Sequence, residues 1–414
     1  MAKTKIKPKR DYGYNHFKNL CLFYIKLTPL CNLNCVMCGQ RGDKGVLKDG
    51  AEYKEAKNII QFEQYKKLID EVAPQKPIIY LWGGEPFMYP DLFRLAGYAV
   101  SKGLYLSVNT NGVLLERYAQ QIVEDKWSTI FVSLDAFRDV NDRMRGKGSY
   151  DRVIAGFNAI NREKARQKSE FPVLGVVTTV TNMNYESLED LCEASREWNL
   201  GVHMFNLGTY SNDAIVAQHK KFMRDNFNIE TNFLEGFNTG YNKNIDAQKL
   251  YSILQKIHHT DYGHPTITVP ALNPEKIHQY YNELEKPVRC HCIVPFCQVN
   301  INYNGDVHFC ADYPDYILGN IKDSSFVEIY NGERANKFRK LIKSSFVNGG
   351  GGYFQAALDA IKICFLGKKS KAAKHLTAII YGLAGCLKAV NSFGAKTGGA
   401  KFCAGKLFFL NISV

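Results

Sequence analysis

The stretch "PLCNLNCVMCGQRG" (residues 29–42) places three cysteines in one short loop. Cys31, Cys35 and Cys38 have the spacing C-x3-C-x2-C. Structural zinc sites and standard iron–sulfur clusters take four protein ligands. Three thiolates therefore predict a metal centre with one coordination position left for another group, and an open position is typical of a catalytic metal site.

The segments on either side of this loop alternate between strand-like and helix-like patterns. The apolar run "LFYIKLT" (22–28) leads into the loop. Five further strand-like runs follow, at 77–86, 104–112, 128–136, 172–181 and 201–208. Helical patterns separate them, at 62–73, 91–103, 114–126, 149–167 and 185–199. Six such alternations predict an α/β fold with a parallel sheet, a partial (β/α)6 barrel of the TIM type.

Polar residues stand where several of these strands end. They are Gly83, Gly84 and Glu85 after the second strand, Asn109 at the end of the third, and Ser133 and Asp135 after the fourth. Active sites of such barrels lie at the carboxyl ends of the strands. We therefore expect these residues to meet the cysteine loop at one mouth of the barrel.

The composition divides the chain into five predicted regions. We expect a basic arm (1–19), the barrel core (20–208), an insert or capping region (209–289), a cysteine-rich extension (290–345) and an atypical basic tail (346–414). The extension contains "CQVNINYNGDVHFC" (297–310), whose alternation and Asn-Gly turn predict a hairpin. The tail holds nine Lys and one Asp. It is interpreted as poorly ordered, as an amphipathic segment on anionic lipid, or as the product of a changed reading frame.

Bulk properties restrict the classes of function. With 414 residues and 45% hydrophobic residues, the chain can bury a sizeable core. The net charge is +13, but the basic tail contributes most of it, so the rest gives no nucleic-acid signal. No apolar run is long enough to predict a membrane span. The polar N-terminus "MAKTKIKPKRDYGYNHFKN" has no apolar signal region, so we expect a cytoplasmic protein.

Taken together, the motifs resemble those of the radical S-adenosylmethionine (SAM) superfamily, over about residues 20–210. The matching features are C-x3-C-x2-C after a first strand, Gly-Gly-Glu after a second, and the strand–helix order. The resemblance implies that Cys31, Cys35 and Cys38 hold three irons of a 4Fe–4S cluster, while SAM binds the fourth. It also implies reductive cleavage of SAM to methionine and a 5′-deoxyadenosyl radical. A zinc loop is the alternative interpretation.

The same resemblance implies a set of SAM-binding residues. In the family, the Gly-Gly-Glu stretch meets the methionine amino group, where Glu85 or backbone carbonyls accept from the ammonium. The stretch with Ser133 and Asp135 resembles the family's fourth-strand motif, which implies a position near the ribose and carboxylate of SAM. Arg145 matches an arginine that pairs with the methionine carboxylate, and Asn109 belongs to the same expected set. The alternatives are a tight turn for Gly83–Glu85, a turn cap for Asn109, and a solvated loop arginine for Arg145.

The second cysteine group resembles the start of the SPASM or Twitch extension of this superfamily. The resemblance implies that Cys290, Cys292, Cys297 and Cys310 bind one auxiliary iron–sulfur cluster; a zinc site is the alternative. The remaining SPASM cysteine spacing is missing, because the next cysteines are Cys364, Cys386 and Cys403. Asp312 is a candidate general base, as some relatives place an acid near this cysteine. A turn cap is the alternative for Asp312.

These features predict a radical SAM oxidoreductase that abstracts hydrogen from a small polar, sugar-like substrate. Two alternatives stay open: a maturase that modifies a peptide or protein, and an inactive iron–sulfur or metal-binding protein on a degenerate barrel. The expected partners are a small-molecule or peptide substrate and an electron donor such as a flavodoxin or ferredoxin. We expect no nucleic-acid partner and no transmembrane segment.

Overall fold

A ten-stranded sheet carries the fold. The structure is a computed structural model that describes residue 17 and residues 20–48, 50–208, 210–284, 294–310 and 314–344. From one edge to the other, the strand order is β10-β9-β8-β1-β2-β3-β4-β5-β6-β7. The strands are β1 (Leu22–Lys26), β2 (Ile78–Trp82), β3 (Tyr105–Thr110), β4 (Thr129–Ser133), β5 (Val173–Val180), β6 (Val202–Leu207), β7 (Thr266–Val269), β8 (Gln298–Ile301), β9 (Asp306–His308) and β10 (Gly319–Asn320).

All pairings from β8 through β1 to β7 are parallel, whereas β9 and β10 are antiparallel. The first six strands lie in chain order from β1 to β6, which confirms the predicted partial barrel of α/β class. The described strands leave the sheet open between β7 and β10.

Thirteen α-helices accompany the sheet in the described part of the chain. They are α1 (Ala51–Glu55), α2 (Phe62–Val72), α3 (Leu92–Ser101), α4 (Leu115–Glu124), α5 (Arg138–Arg145), α6 (Ser149–Gln167), α7 (Leu188–Ala194), α8 (Asp213–Phe227), α9 (Ala247–His259), α10 (Pro274–Asn282), α11 (Val294–Cys297), α12 (Phe326–Asn331) and α13 (Glu333–Ser344). Among the described residues, no helix combines the length and apolar character needed to cross a membrane.

The two faces of the strands differ because side chains alternate along a strand. On the outer face, residues such as Phe23, Ile25 and Leu81 join the main core with the helices. On the inner face, a separate apolar cluster holds Leu22, Tyr24, Ile78, Tyr80, Phe131, Val173, Val177 and Val202. Towards the carboxyl ends the same inner face becomes polar, with Lys26, Asn109, Ser133 and Asn206. The inner surface thus has an apolar floor and a polar upper layer.

Residues 209–289 contain more regular structure than their sequence suggests. A helix is predicted at 246–257, and the structure has α9 there, together with α8, α10 and the strand β7. This strand continues the sheet by pairing with β6, for example His203 with Thr266. With only four residues, β7 is too short to stand out in the sequence. The predicted role of residues 209–289 as a cap on the barrel stays a prediction.

The cysteine-rich extension docks directly on the barrel. Its predicted hairpin is formed by β8 and β9, and β8 also pairs in parallel with β1. Glu71 on α2 accepts hydrogen bonds from the first backbone N–H groups of α12, at 2.9 Å from Phe326 and 2.8 Å from Val327. A carboxylate at a helix N-terminus satisfies otherwise unpaired donors. The tail at 346–414 and nearly all of the arm lie outside the described residues, so their predictions are untested.

Candidate functional site

An open cleft lies at the carboxyl ends of β1 to β4. Its wall contains most of the site residues predicted for the barrel core. The lining residues are Cys31, Leu33, Cys35, Cys38, Gln40, Arg41, Gly83, Gly84, Asn109, Thr110, Asn111, Ser133 and Arg145. The polar residues that follow separate strands thus meet the cysteine loop at one mouth.

The cysteine loop is held in shape by its own backbone and by one arginine. Cys38 N donates to Cys35 O at 3.0 Å, and Val36 N donates to Met144 O at 2.9 Å. Arg41 donates to Asn34 Oδ1 from Nε (3.0 Å) and Nη2 (2.8 Å). Its Nη1 pairs with Glu52 at 2.7 Å. These contacts fix the loop before any group binds; Arg41 was not singled out by the sequence.

The three cysteines of this loop are partly buried by the surrounding protein. Burial raises the pKa of Cys31 to about 12 and that of Cys35 to about 11. The guanidinium of Arg145 opposes the shift at Cys35, with Nη1 at 3.8 Å from Sγ. Within the described ranges, no three His, Cys, Asp or Glu side chains lie close enough together to hold a single metal ion. The three thiols line one shared cleft instead.

Gly83 and Gly84 bring the end of β2 against the segment that leads into the cysteine loop. Gly84 N donates to Thr28 O, and Glu85 N donates to Leu30 O, both at 2.7 Å. A Cβ added at Gly84 would lie 2.1 Å from Leu30 O. Because that neighbour is backbone, no side-chain movement would relieve the contact. The glycine is therefore required for this close approach.

We expect Gly84→Ala to destabilise the protein by about 3 kcal/mol, since the new Cβ overpacks against backbone. The loop carrying Cys31 would shift, so iron bound after reconstitution would fall as well. Urea unfolding followed by circular dichroism, together with iron analysis, measures both effects. The matched control is Gly97→Ala in α3, where an added Cβ meets nothing within 4 Å. That change should stabilise the helix by about 0.5–1 kcal/mol; equal behaviour of the two variants would contradict the packing argument.

Glu85 differs from the expected ligand contact. Its carboxylate is fully buried and does not line the cleft. Oε1 accepts from Thr110 Oγ1 at 2.7 Å and from Phe87 N at 3.2 Å, and Oε2 accepts from Asn111 N at 2.8 Å. Burial raises the pKa of Glu85 to about 7. The side chain thus ties the end of β2 to the end of β3, and Gly83 and Gly84 are the part of the motif that lines the cleft.

Asp135 and Arg145 form a buried ion pair beside the cysteine loop. Arg145 Nε lies 2.7 Å from Asp135 Oδ2, and the two side chains are 1% and 0% exposed. Asp135 Oδ1 accepts from Thr179 N at 2.8 Å. Arg145 lines the cleft, and its buried Nη2 has no hydrogen-bond partner among the described residues. Arg145 is therefore not a solvated loop arginine.

Two buried asparagines that the sequence analysis missed support this pair. Asn141 Oδ1 accepts from Asp135 N at 3.0 Å, and Asn184 Nδ2 donates to Asp135 O at 2.7 Å. Both are at most 1% exposed. Asn184 lies just after β5, so the rule that found the other polar residues at strand ends would have found it too. Asn141 lies within α5 and carried no such signal.

Asn109 and Ser133 project into the cleft from neighbouring strands. Asn109 Oδ1 and Ser133 Oγ are buried and have no hydrogen-bond partner in the part of the chain that the structure describes. Buried polar atoms in proteins are nearly always paired. With Arg145 Nη2 and Gln40 Oε1, four such atoms belong to residues that line the cleft, which fits a ligand with both donor and acceptor groups. The amino, carboxylate and ribose groups of SAM have that chemistry.

The second cysteine group lies at the amino ends of β8 and β1, whereas the cleft lies at the carboxyl ends of the strands. Cys297 directly precedes β8 and Cys310 follows β9, and the pairing of Asn300 with His308 places both cysteines at the same end of the hairpin. Cys21, at the amino end of β1, donates from its backbone N to Cys297 O at 2.9 Å. Cys297 and Cys310 are both buried. Cys290, Cys292 and Asp312 lie outside the described residues, and their roles stay predictions.

Comparison with protein families gives two matches on this chain. Residues 25–197 match the radical SAM superfamily, and residues 290–348 match an iron–sulfur cluster-binding domain, SPASM. The two matches together cover more than half of the chain. Members of the first family use a 4Fe–4S cluster and SAM, and SPASM domains bind additional iron–sulfur clusters.

The curated relatives include enzymes of cofactor synthesis. The chain is 26% identical over 319 residues to Fe-coproporphyrin III synthase of Methanosarcina barkeri, across 73% of this chain and 72% of the relative. It is 32% identical over 211 residues to AdoMet-dependent heme synthase of the same organism, across 48% and 55%. A mycofactocin maturase of Mycolicibacterium smegmatis is 26% identical across 45% and 44%. The chain thus spans about half the length of the latter two.

Solved structures share the fold. Streptococcus suis SuiB bound to S-adenosylmethionine has a TM-score of 0.56 at 15% identity, covering 82% of this chain and 75% of SuiB. The structure titled native anSMEcpe with bound AdoMet has a TM-score of 0.54 at 18% identity, covering 90% of this chain and 100% of that one. Motif order, family matches and fold agree: the chain belongs to the radical SAM superfamily and carries a SPASM-type iron–sulfur domain.

Proposed function

We propose that this protein is a radical SAM oxidoreductase that abstracts a hydrogen atom from a substrate held inside the partial barrel. One observation carries the proposal. The three thiols of the C-x3-C-x2-C loop line the same cleft as the buried, unpartnered atoms Asn109 Oδ1, Ser133 Oγ and Arg145 Nη2. A 4Fe–4S cluster held by these thiols would, after receiving one electron, supply the reductive cleavage of SAM on which hydrogen abstraction depends.

The residues of the cleft would share the task of binding the two cofactors. Cys31, Cys35 and Cys38 would hold three irons of the cluster. Arg145 would present its free Nη2 to the SAM carboxylate, since a guanidinium suits a carboxylate well. Asp135 would keep that guanidinium oriented, because it holds Nε at 2.7 Å. Gly83 and Gly84 would let the backbone approach SAM without side chains in between.

The surrounding protein would position the cofactors and the substrate, and it would exclude water from them. Glu85 fixes the ends of β2 and β3 relative to each other through three accepted hydrogen bonds. The apolar floor below the cleft, which includes Tyr80 and Phe131, closes the inner surface on the other side. A reactive intermediate formed above this floor would be shielded from solvent.

The SPASM domain supports assignment to the oxidoreductases. Cys297 and Cys310, together with Cys290 and Cys292, would hold one auxiliary cluster, whose chemistry is one-electron transfer. The two described cysteines lie at one end of the hairpin, as shared ligands must. A flavodoxin or ferredoxin would supply electrons to the protein.

The substrate is proposed to be a small polar molecule rather than a peptide. The polar upper layer of the inner face, with Lys26, Asn109, Ser133 and Asn206, suits a compact polar ligand. Fe-coproporphyrin III synthase, which aligns over most of both chains, is named for a small-molecule product. A peptide-modifying maturase is the alternative, in view of the similarity to a mycofactocin maturase.

Anaerobic reconstitution tests the proposal. The protein is loaded with iron and sulfide, its iron is counted, and 5′-deoxyadenosine is measured after addition of dithionite and SAM. We expect about eight irons per chain, which corresponds to two 4Fe–4S clusters, and formation of 5′-deoxyadenosine. About four irons with 5′-deoxyadenosine would contradict the auxiliary cluster alone. A filled first cluster without 5′-deoxyadenosine would contradict the enzymatic function.

A further inference from the structure

Lys26 and Trp82 form a cross-strand pair on the inner face, where β1 and β2 end. The two residues are register partners in the parallel pairing of these strands. Lys26 Nζ lies 5.8 Å from the centre of the Trp82 ring and 5.1 Å from that of Tyr303, which follows β8. Trp82 directly precedes Gly83, which lines the cleft. This cation therefore lies near two aromatic rings and beside the cleft that contains the cysteine loop.

Lys26 is a cation that makes no direct polar contact with the described part of the chain. It takes part in no ion pair or hydrogen bond with any other described residue, whereas most other buried charges near the site are paired. Two groups act on it through their charge, first the thiol of Cys38 and then the carboxylate of Glu55, which also accepts a hydrogen bond from the Tyr303 hydroxyl at 3.2 Å. Burial lowers the pKa of Lys26 to about 8. A half-buried ammonium of this kind is costly unless an anion compensates it.

Trp82 adds a second unsatisfied donor at the same place. Its Nε1–H is buried and has no acceptor within the described ranges. An indole N–H and an ammonium can only donate. Two donors on register partners, both lacking an acceptor, match the two oxygens of a carboxylate. A neutral hydroxyl would leave the charge of Lys26 uncompensated, and its single oxygen would suit the two donors less well than a carboxylate does.

We propose that Lys26 and Trp82 bind a carboxylate of the substrate, with the rings of Trp82 and Tyr303 packing against the carbon skeleton beside it. This inference rests on the proposed function and narrows its substrate class from small polar molecules to carboxylic acids. The bond from the ammonium would be charge-assisted, which makes it stronger than a hydrogen bond between neutral groups. It would fix one end of the substrate beside the cleft.

Fluorine NMR with a small aromatic acid tests the site without knowledge of the substrate. The probe is 4-fluorobenzoate, and its neutral counterpart is 4-fluorobenzamide. Both are titrated anaerobically into the reconstituted, SAM-bound protein, and binding is measured from the broadening of the fluorine signal. We expect saturable binding of 4-fluorobenzoate and markedly weaker binding of 4-fluorobenzamide.

Variants of Lys26 make the test specific. Lys26→Met should weaken 4-fluorobenzoate binding by about tenfold or more, because a hydrogen bond to a charged group contributes about 1.5–3 kcal/mol. Lys26→Arg keeps the charge and should retain most of the affinity. The matched control, Lys67→Met, removes an exposed lysine of α2 and the same net charge, and should change nothing. Iron content is measured in every sample to confirm an equally loaded protein.

Three results would overturn the inference: no saturable binding of 4-fluorobenzoate, equal binding of both probes, or equal affinity in Lys26→Met and wild type. The first two need only the wild-type protein, so a variant that fails to fold cannot decide the matter. Formation of 5′-deoxyadenosine is measured on the same preparation. If it forms while Lys26 has no effect, only the carboxylate site fails. If it does not form while 4-fluorobenzoate binds through Lys26, the proposed function fails and the anion site stands.

Discussion

Replacing Cys35 by alanine should abolish 5′-deoxyadenosine formation and lower the iron content by about four per chain. Cys35 is one of three thiols available to the proposed cluster in the cleft, and it lies 3.8 Å from Arg145 Nη1. Two remaining thiolates would leave the cluster without a third protein ligand. The variant is reconstituted beside wild type, and its iron and 5′-deoxyadenosine are measured.

A second cysteine provides the matched control for this loss. Cys192 in α7 is also a free, fully buried thiol, but it lies outside the cleft, with Sγ 4.0 Å from His203 Nδ1. Cys192→Ala should keep both the iron content and 5′-deoxyadenosine formation. Wild-type activity in Cys35→Ala would contradict the proposed cluster ligands. Loss of activity in both variants would point to general damage rather than to loss of a ligand.

The same pair of variants separates the two cysteine groups. Cys297 and Cys310 lie at the end of the hairpin opposite the cleft. Iron that remains in Cys35→Ala would therefore belong to the extension. If Cys35→Ala lost all of its iron, the SPASM cysteines would not hold a cluster independently of the first one.

The positions of the cleft residues follow from the sequence because strand periodicity is local. Side chains alternate along a strand, so Asn109 and Ser133 could be placed on the mouth of a barrel from their strands alone. The C-x3-C-x2-C loop lies after β1 for the same reason. In such cases the residue type and its distance from the strand end carry the information.

The direction of a side chain in a loop could not be predicted in this way. Glu85 lies where the motif suggests, but its carboxylate turns away from the cleft to Thr110 and Asn111. These donors come from the next strand, and no spacing in the sequence indicates that contact. The strand β7 was missed for a related reason. Its four residues become a strand through pairing with β6, a contact between segments distant in the chain.

Lys26 shows how far a local pattern can mislead about function. In the sequence it is one polar residue in an apolar run and indicates only a strand. Its importance arises from Trp82 and Tyr303, which come from β2 and from the segment after β8. The parallel pairing of β8 with β1 joins segments far apart in the chain, so the surroundings of Lys26 depend on the assembled sheet.

Asp135→Ala should destabilise the protein by about 3–5 kcal/mol, because it leaves the guanidinium of Arg145 buried without its partner. Both side chains are at most 1% exposed, and the carboxylate also accepts from Thr179 N. The double variant Asp135→Ala/Arg145→Met should recover part of this loss, since neither charge then remains in the interior. Urea unfolding monitored by circular dichroism under anaerobic conditions gives the differences.

An exposed ion pair in the same part of the chain provides the comparison. Arg138 and Asp151 lie 2.5 Å apart, with side chains 51% and 59% exposed. Asp151→Ala should therefore cost no more than about 1 kcal/mol. If Asp135→Ala cost as little, the buried pair would not hold the structure of the cleft.

The double variant should still fail to form 5′-deoxyadenosine, because it regains stability without regaining the Nη2 donor that we assign to the SAM carboxylate. Recovery of activity together with stability would contradict that role of Arg145.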